Sequence, residues 1–292
     1  MNLAAFQNGL ARARCRGFTM IEIAISIGVI GFALVAIIGI LPAGLTVQKD
    51  NRDDTVINQD ANFFMQSIRA GAVVSNGIVL DRTLDFLSNY VEAITITNPF
   101  GLAEVYTNFQ LSSDRTYTSG GAPNYFTTTL NETVGGAILG LLTRPKFYIT
   151  SLPTFTVPGF QPITNYTRAW VRALNGSAMQ QNGANSAVAF RYIMDVQITP
   201  HYLFPTDSTN WVNTTTLADY TIRSNRWMEA NFLSQNLYDV ELTFHWPVLA
   251  SGAPGPNRQV FRSTIASSLA KATNGTVYYY FQPQTFTAAA AP

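Results

Sequence analysis

The chain has 292 residues, of which 47% are hydrophobic, 12% are aromatic and 12% are charged, and its formal net charge is +1. This apolar content excludes a disordered chain, and the near-neutral charge excludes a broad basic surface for nucleic acid. The charged fraction is about half of the roughly 25% found in soluble domains, which favours an extracytoplasmic protein.

The first 17 residues form a short basic segment. Its only charges are Arg12, Arg14 and Arg16, and no acidic residue lies among them. We expect residues 1–17 to be a leader that is removed, which leaves 15 basic against 17 acidic residues in the mature chain. The only cysteine, Cys15, also lies in this segment. The mature protein is therefore expected to hold no disulfide and no thiolate chemistry.

An uncharged apolar run covers residues 23–47. As an α-helix these 25 residues would be about 38 Å long, enough to cross a hydrocarbon core of roughly 30 Å. The basic leader lies before this run, and residues 49–54 carry two bases against three acids. The positive-inside bias therefore predicts a cytoplasmic N-terminus and a translocated C-terminal part. An ordinary signal-peptidase site is not favoured, because the best small-residue pair, Gly31 and Ala33, lies in the middle of the run.

The start of the apolar run carries the motif Arg16-Gly17-Phe18-Thr19-Met20-Ile21-Glu22. A glycine follows basic residues, and a single carboxylate enters as the apolar run begins. This motif resembles the prepilin peptidase site of type IV pilins and type II secretion pseudopilins. The resemblance implies cleavage after Gly17, methylation of the new N-terminal residue Phe18, and Glu22 as the fifth mature residue. One departure is Met20, where family members usually have leucine, and this exchange conserves an unbranched apolar side chain.

Glu22 is the only charged residue between Arg16 and Lys49. A carboxylate at the edge of a membrane helix is costly unless it is paired. We expect its partner to be the α-amino group of Phe18 on a neighbouring subunit, because this pairing would neutralise both ions and fix the axial register. The alternative is that Glu22 only reaches the lipid headgroups and has no role in assembly.

The apolar run contains one proline, Pro42, near its C-terminal end. Pro42 lies somewhat later than the helix-breaking proline of many pilins. Because proline removes a helical donor and crowds the preceding turn, residues 38–45 are expected to be the least regular part of the helix in an assembled filament. The stretch Gly39-Ile40-Leu41-Pro42-Ala43-Gly44-Leu45 also resembles prepilin-like proteins of the Verru_Chthon cassette type.

A helical pattern continues beyond the membrane run. Apolar residues recur there at spacings of four, three, four and four, which places them on one helix face. They are Ile57, Ala61, Phe64, Ile68 and Ala72. The helix is predicted to continue to about Val74 and to end at Ser75-Asn76-Gly77. The acidic residues between positions 50 and 60 are interpreted as a solvated helix face rather than a cation site.

Strand signals replace helical ones from residue 78 onward. Apolar residues alternate with polar ones in residues 188–198 and again in residues 240–246, which is typical of half-buried strands. The turn-rich residues 250–257 and the extended stretch to about Ala266 then predict an antiparallel hairpin. Residues 109–185 are rich in loop signals, with a turn or short helix predicted between Gly135 and Gly140.

The predicted class is therefore α+β, with a long N-terminal helix for membrane and assembly and a β-rich, antiparallel, pilin-like head. The expected organisation is a leader at 1–17, a helix at 18–77 with its membrane and assembly part at 18–47, and the head at 78–292.

Residues that carry chemistry are scarce in the head. His201 and His245 are interpreted as surface residues, and no zinc-binding, nucleophile-elbow, Walker or dinucleotide motif is present in the sequence. We therefore expect no catalytic site, no cofactor and no metal. Five N-x-S/T triplets begin at Asn131, Asn165, Asn175, Asn213 and Asn274, and such triplets arise by chance in a chain rich in Asn and Thr.

The resemblance implies a structural subunit of a type IV pilus or a type II secretion pseudopilus. Its expected partners are identical or homologous pilin subunits, prepilin peptidase, an inner-membrane assembly platform and, before assembly, membrane lipid. It would span the inner membrane once and then enter a periplasmic or extracellular filament. The large head favours a minor subunit, and Glu22 argues against the tip pseudopilin, which the resemblance implies usually lacks the glutamate.

Two other functions fit the same composition. The chain could be a single-pass anchored protein whose β head binds a ligand or a glycan without polymerising, or a secreted hydrolase. The mature N-terminus distinguishes the three: methylated Phe18 for a pilin-like subunit, intact Met1 for an anchor, and a start well beyond Ala33 for a secreted enzyme.

Overall fold

The protein is described here by a computed structural model. It describes residues 17–72, 74–75, 78–79, 83–97, 103–107, 109, 115–119, 122–126, 134–148, 163–174, 190–201, 216–274, 276–283 and 285–288. The basic residues and the cysteine predicted to belong to the leader lie outside these ranges. The chain divides into two compact units, Met1–Asp53 and Asp54–Pro292.

A single long helix, α1, begins the described chain at Met20–Ala70. Its first part contains a window with a mean hydropathy of 2.8, none of which is buried. By length and composition, α1 is the one helix among the described residues that could cross a membrane. This confirms the predicted apolar N-terminal helix, and a single-pass anchor is compatible with it.

The end of α1 comes earlier than predicted, at Ala70 rather than near Val74. Gly71 has a φ of +64° and its N–H donates to the carbonyl of Ser67, as in a helix C-cap. The next N–H, of Ala72, donates to the carbonyl of Phe281 at 3.1 Å. The helix therefore ends at Gly71 rather than at the predicted Gly77, because the backbone beyond Gly71 bonds to a strand from the C-terminal part of the chain.

The second unit is built on an eight-stranded antiparallel sheet. The strands are β3 (Val91–Thr97), β4 (Ala103–Thr107), β5 (Arg115–Ser119), β6 (Ala122–Phe126), β9 (Tyr166–Arg172), β10 (Arg191–Pro200), β11 (Leu237–Trp246) and β12 (Asn257–Ala266). Their order across the sheet is β12-β11-β10-β9-β3-β4-β5-β6. The order describes two consecutive meanders, β3 to β6 and β9 to β12, joined by the pairing of β3 with β9.

Among its described residues, the second unit also contains three two-stranded sheets and three short or medium helices. The small sheets pair β1 (Val74–Ser75) with β2 (Ile78–Val79), β7 (Phe147–Tyr148) with β8 (Ile163–Thr164), and β13 (Leu269–Asn274) with β14 (Thr276–Phe281). The helices are a 3-10 helix at Asp85–Asn89, α2 at Val134–Leu142 and α3 at Leu217–Asn236. The described structure is thus α+β, with an apolar N-terminal helix followed by an antiparallel sheet, as the sequence predicts.

The core of the second unit lies between one face of the sheet and the helices. The predicted stripe on α1 is buried at Ile57, Ala61, Phe64 and Ile68. The alternation predicted for the strands is confirmed on the core-facing side, where Tyr192, Met194, Val196 and Ile198 of β10 and Val240, Leu242, Phe244 and Trp246 of β11 are all buried. Thr243, predicted for the opposite face, is buried as well, and Val188 lies outside the described residues. The hairpin of β11 and β12 is confirmed as well. Burial of these side chains is the main stabilising contribution to the unit.

The expected solvated acidic face of α1 is wrong at two positions, since Asp53 and Asp60 are both buried. Asp60 is fully buried and accepts hydrogen bonds from the Tyr192 hydroxyl at 3.0 Å and the Leu174 N–H at 2.9 Å. A buried carboxylate needs such donors to offset its lost hydration. Asp60 therefore links α1 to β10 and to the end of β9.

Helix α2 confirms the short helix predicted between Gly135 and Gly140, and all of its residues are buried. A Cβ atom at Gly135 would lie 2.1 Å from the carbonyl carbon of Leu84, so the glycine allows the backbone of the 3-10 helix to approach. The Asp85 carboxylate accepts the Gly135 N–H at 2.9 Å and so caps the first turn of α2.

Helix α3 was not predicted from the sequence. Its composition is largely polar, and it buries only Ser224, Trp227, Ala230 and Asn236. The sequence nevertheless contains a helix start signal, since Asp219 follows Thr216 by three residues. In the structure the hydroxyl of Thr216 donates to the carboxylate of Asp219. A Ser or Thr followed at that spacing by an acidic residue is a typical N-terminal signature of helices.

Alkaline pH is expected to weaken the core through Tyr238, whose ring centroid lies 5.5 Å from that of Phe281. Burial raises the pKa of Tyr238 to about 12. Above the ordinary tyrosine pKa of about 10 the unfolded chain ionises while the folded one stays neutral, so the free energy of unfolding falls as pH rises. Urea titrations at about pH 8 and about pH 11 should show about 1 kcal/mol less pH-dependent loss in Tyr238→Phe than in wild type. Equal losses in the two proteins would contradict this account. Burial, with the nearby charge of Asp60, also raises the pKa of Tyr192, but this tyrosine is present in both proteins.

Candidate functional site

The first turn of α1 is closed by a capping box. The Thr19 hydroxyl accepts the Glu22 N–H at 3.3 Å, and the Glu22 carboxylate accepts the Thr19 N–H at 2.9 Å. The Thr19 hydroxyl also donates to the same carboxylate oxygen, Oε2, at 2.9 Å. Each residue thereby satisfies a backbone N–H that the helix start leaves without an intrahelical acceptor. The carboxylate is thus held in a defined position at the N-terminal end of the helix.

The predicted site residues Gly17, Phe18 and Glu22 all lie at this end of α1. Gly17 and Phe18 precede the helix and are exposed, Phe18 with 83% of its surface accessible. A cut after Gly17 would place the new α-amino group one residue before Thr19, whose N–H already bonds to Glu22. In the described part of the chain Oε1 of Glu22 accepts no hydrogen bond, so one carboxylate oxygen stays available to a second donor.

Between residues 23 and 47 the surface of α1 carries no charge and is largely apolar on every side. All residues from 17 to 52 are exposed, including large side chains such as Met20, Ile30 and Phe32. A helix that is hydrophobic all round requires cover by lipid or by other protein. The same surface is therefore suited to a bilayer and to a bundle of similar helices.

The helix runs through Pro42 without interruption in this single chain. The Thr46 hydroxyl donates to the Pro42 carbonyl at 3.1 Å. Beside the proline is a shallow apolar depression lined by Ile37, Ile40, Leu41, Gly44 and Leu45. Because Pro42 has no N–H, the Ile38 carbonyl lacks its usual helical donor. The expected break at Pro42 concerns an assembled filament and stays a prediction.

The two histidines lie on the sheet of the second unit. His201 is exposed, as predicted, with Nδ1 2.7 Å from the Asp239 carboxylate. His245 is only half-buried, 3.7 Å from the Asp195 carboxylate. Burial lowers the pKa of His245, and the charges of Arg258 and Arg168 act in the same direction while Asp195 opposes them. Within the described ranges no three His, Cys, Asp or Glu side chains are grouped to hold a metal ion.

Asn165 begins one of the five N-x-S/T triplets, and its side chain is buried. The amide nitrogen of this side chain donates to the Pro145 carbonyl at 3.4 Å. Modification of Asn165 would require its removal from the folded core. The asparagines at positions 131, 175 and 213 lie outside the described residues.

Sequence reasoning found the residues at the start of α1 but missed the bonds between Thr19 and Glu22. The signal for them was present, since Thr19-Met20-Ile21-Glu22 has the spacing of a capping box. The burial of Asp60 has no such signal, because on a helix wheel this residue lies off the apolar stripe of α1.

Comparisons of the chain with protein-family models, with curated proteins and with solved structures find no match. The function must therefore be argued from the residues and their geometry.

Proposed function

We propose that this chain is the structural subunit of a filament of the type IV pilus or type II secretion pseudopilus kind. It would be cleaved after Gly17, methylated at Phe18 and polymerised through the first part of α1. The observation that carries the proposal is the motif from Gly17 to Glu22 at the start of a helix whose apolar surface is exposed on all sides.

The apolar surface supports two successive environments. Before assembly, lipid would cover residues 23–47, as the length of the run allows. After assembly, the same side chains would pack against helices of identical or homologous subunits. Helix association in an apolar medium depends on van der Waals packing and close approach at small residues. Gly28, Gly31, Gly39 and Gly44 offer such positions, because each is exposed on α1 and has no side chain to keep a second helix at a distance.

The carboxylate of Glu22 supports a pairing role in that bundle. A charge carried into an apolar bundle needs a partner and hydrogen bonds to offset its desolvation. The capping box supplies bonds to Oε2 from the same chain, and the ammonium of a neighbour's Phe18 would supply the opposite charge at Oε1. One oxygen of Glu22 would thus bond within its own chain and the other would pair with a neighbouring subunit. This arrangement fits a subunit interface better than contact with lipid headgroups, because the bonds to Thr19 hold the carboxylate at the start of its own helix.

The remaining partners follow from the same proposal. Prepilin peptidase would act on the exposed segment at Gly17, and an inner-membrane assembly platform would extract the processed subunit from the bilayer. The chain would span the inner membrane once, with its N-terminus in the cytoplasm, and would end in a periplasmic or extracellular filament. The second unit would supply the filament surface.

The mature N-terminus tests the proposal. We expect mass spectrometry of the wild-type protein, isolated from its native membrane, to show a chain that begins with methylated Phe18. Gly17→Ala should keep residues 1–17, because a side chain next to the scissile bond would not fit the peptidase. The matched control is Gly28→Ala, which changes a glycine of the same helix away from the bond and should be processed normally.

Two outcomes would overturn the proposal. A wild-type chain that retains Met1 would indicate an anchored protein that does not polymerise, and a chain that begins beyond Ala33 would indicate a secreted one. Normal processing of Gly17→Ala would contradict the assigned cleavage site even if filaments form.

A further inference from the structure

A groove lined by both aromatic and polar residues lies on the face of the sheet opposite the core. Along β9 the side chains of Thr167, Ala169 and Val171 are buried, so Tyr166, Arg168 and Trp170 project to the other face. The neighbouring strands bring Thr95 and Asp195 into register with Arg168. These side chains therefore form one continuous surface across β3, β9 and β10.

The groove has a volume of about 370 Å³. Thr97 and Gln197 line it together with the side chains just named. This volume is near the lower end of the roughly 300 to 1,000 Å³ typical of small-molecule sites. The groove is therefore suited to one or two small rings and not to a large cofactor.

The floor of the groove carries an ion pair between Arg168 and Asp195. Nε of Arg168 donates to Oδ1 of Asp195 at 2.6 Å, and a second guanidinium nitrogen donates to Oδ2 at 2.9 Å. This two-pronged pair crosses from β9 to β10 and neutralises both charges. Beside it, the Lys146 ammonium donates to the Gln197 side-chain carbonyl at 2.9 Å. The floor thus offers a dense set of donors and acceptors around a pair with no net charge.

Two aromatic rings stand at the ends of the floor. Tyr166 has 52% of its surface exposed, and Trp170 is half-buried. Four residues apart on one strand face, they are separated by roughly 13 Å along the strand. The indole N–H of Trp170 donates to the Gly252 carbonyl at 3.2 Å, in the turn between β11 and β12. This bond fixes the Trp170 ring before any ligand arrives, which lowers the entropic cost of binding.

We propose that this groove binds a neutral carbohydrate. The C–H face of a sugar ring packs on an aromatic ring, and its hydroxyls exchange hydrogen bonds with planar groups such as the Arg168 and Asp195 side chains. The Arg168–Asp195 pair presents no net charge to a free anion or cation. A purely apolar ligand would leave the donors and acceptors of this pair without further partners. The proposal does not depend on assembly of the chain into a filament.

The test uses the full chain in a detergent without a sugar headgroup. Isothermal titration calorimetry would measure binding of cellohexaose, maltohexaose, chitohexaose and mannohexaose, with heparin as the anionic comparison. Tyr166→Ala should weaken binding of the preferred oligosaccharide by about tenfold or more, because it removes an aromatic face. Arg168→Lys should also weaken it, because lysine keeps the charge but loses the planar fork. The matched control is Tyr220→Ala on α3, where the tyrosine is 39% exposed and does not line the groove.

The results separate the proposal from its rivals. Binding of a neutral oligosaccharide that is lost in Tyr166→Ala and kept in Tyr220→Ala would support it, with circular dichroism showing that both variants are folded. Failure of all four oligosaccharides to bind would overturn it. So would binding that Tyr166→Ala leaves unchanged, or binding of heparin alone.

Discussion

Filaments made only of Glu22→Gln protein are expected to be absent, although the variant is cleaved after Gly17 and inserted into the membrane. Glutamine keeps the size of the side chain and an oxygen that can accept the Thr19 N–H, so the capping box can persist. Insertion should be no harder, because burying a neutral amide costs less than burying a charge. The ammonium of Phe18 would, however, enter the helix bundle without a counter-ion.

The expected loss is large because each added subunit repeats it. Removing one partner of a buried ion pair costs about 3 to 5 kcal/mol. The experiment expresses the variant with and without wild type, verifies a mature N-terminus at Phe18, and scores filaments by shear fractionation and electron microscopy.

The control for the Glu22 experiment is Thr19→Ala. This change removes the hydroxyl of the capping box but keeps the carboxylate charge and the backbone N–H that it accepts. If charge pairing is the role of Glu22, Thr19→Ala should still form filaments. Loss of filaments in both variants would instead indicate that the helix start itself is what matters. Normal filaments from processed Glu22→Gln protein alone would return Glu22 to a headgroup contact.

Asp60→Ala is expected to destabilise the second unit by about 3 kcal/mol or more, since hydrogen bonds to a buried charge contribute about 1.5 to 3 kcal/mol each. The change leaves the Tyr192 hydroxyl and the Leu174 N–H in the core without the acceptor that they now share. Because small domains are stable by only about 5 to 15 kcal/mol, a loss of this size would be plainly measurable. Tyr192→Phe, which removes one donor together with its bond, should cost less than Asp60→Ala.

Urea unfolding of the full chain in detergent, followed by tryptophan fluorescence, measures this loss. All four tryptophans lie in the second unit, so the signal reports on that unit alone. The matched control is Asp54→Ala, which removes an exposed carboxylate from the same helix and should change the free energy of unfolding little. An unfolding curve for Asp60→Ala that coincides with that of Asp54→Ala would show that the buried bonds do not hold α1 to the sheet.

The parts of the fold that follow a simple period could be predicted. The stripe through Ile57 and Phe64 and the alternation in β10 and β11 arise because one face of each element is buried. Asp60 could not be predicted, since a helix wheel shows that a carboxylate lies off the apolar stripe but not that a tyrosine and an N–H from other segments will cover it. Helix α3 was missed because its burial is slight and its composition is polar.

The candidate assembly site could be found because its residues are adjacent in sequence. The groove on the sheet could not, since Thr95, Arg168 and Asp195 come together only through the pairing of β3 with β9 and of β9 with β10. That arrangement depends on which strand edges meet, and local patterns carry no information about it. Segments far apart in the chain must therefore be placed by tertiary structure before such a surface can be recognised.

The hydrogen bonds between Ala72, just after α1, and the end of β14 have a mechanical consequence. Ala72 donates its N–H to Phe281, and the Gln282 side chain donates back to the Ala72 carbonyl at 3.3 Å. Tension that enters the second unit through α1 would therefore reach β14 directly, rather than pass first through the strands that follow in sequence. Forced separation of the N-terminal segment of this unit would therefore be resisted by Gln282, which lies 210 positions later in the sequence than Ala72.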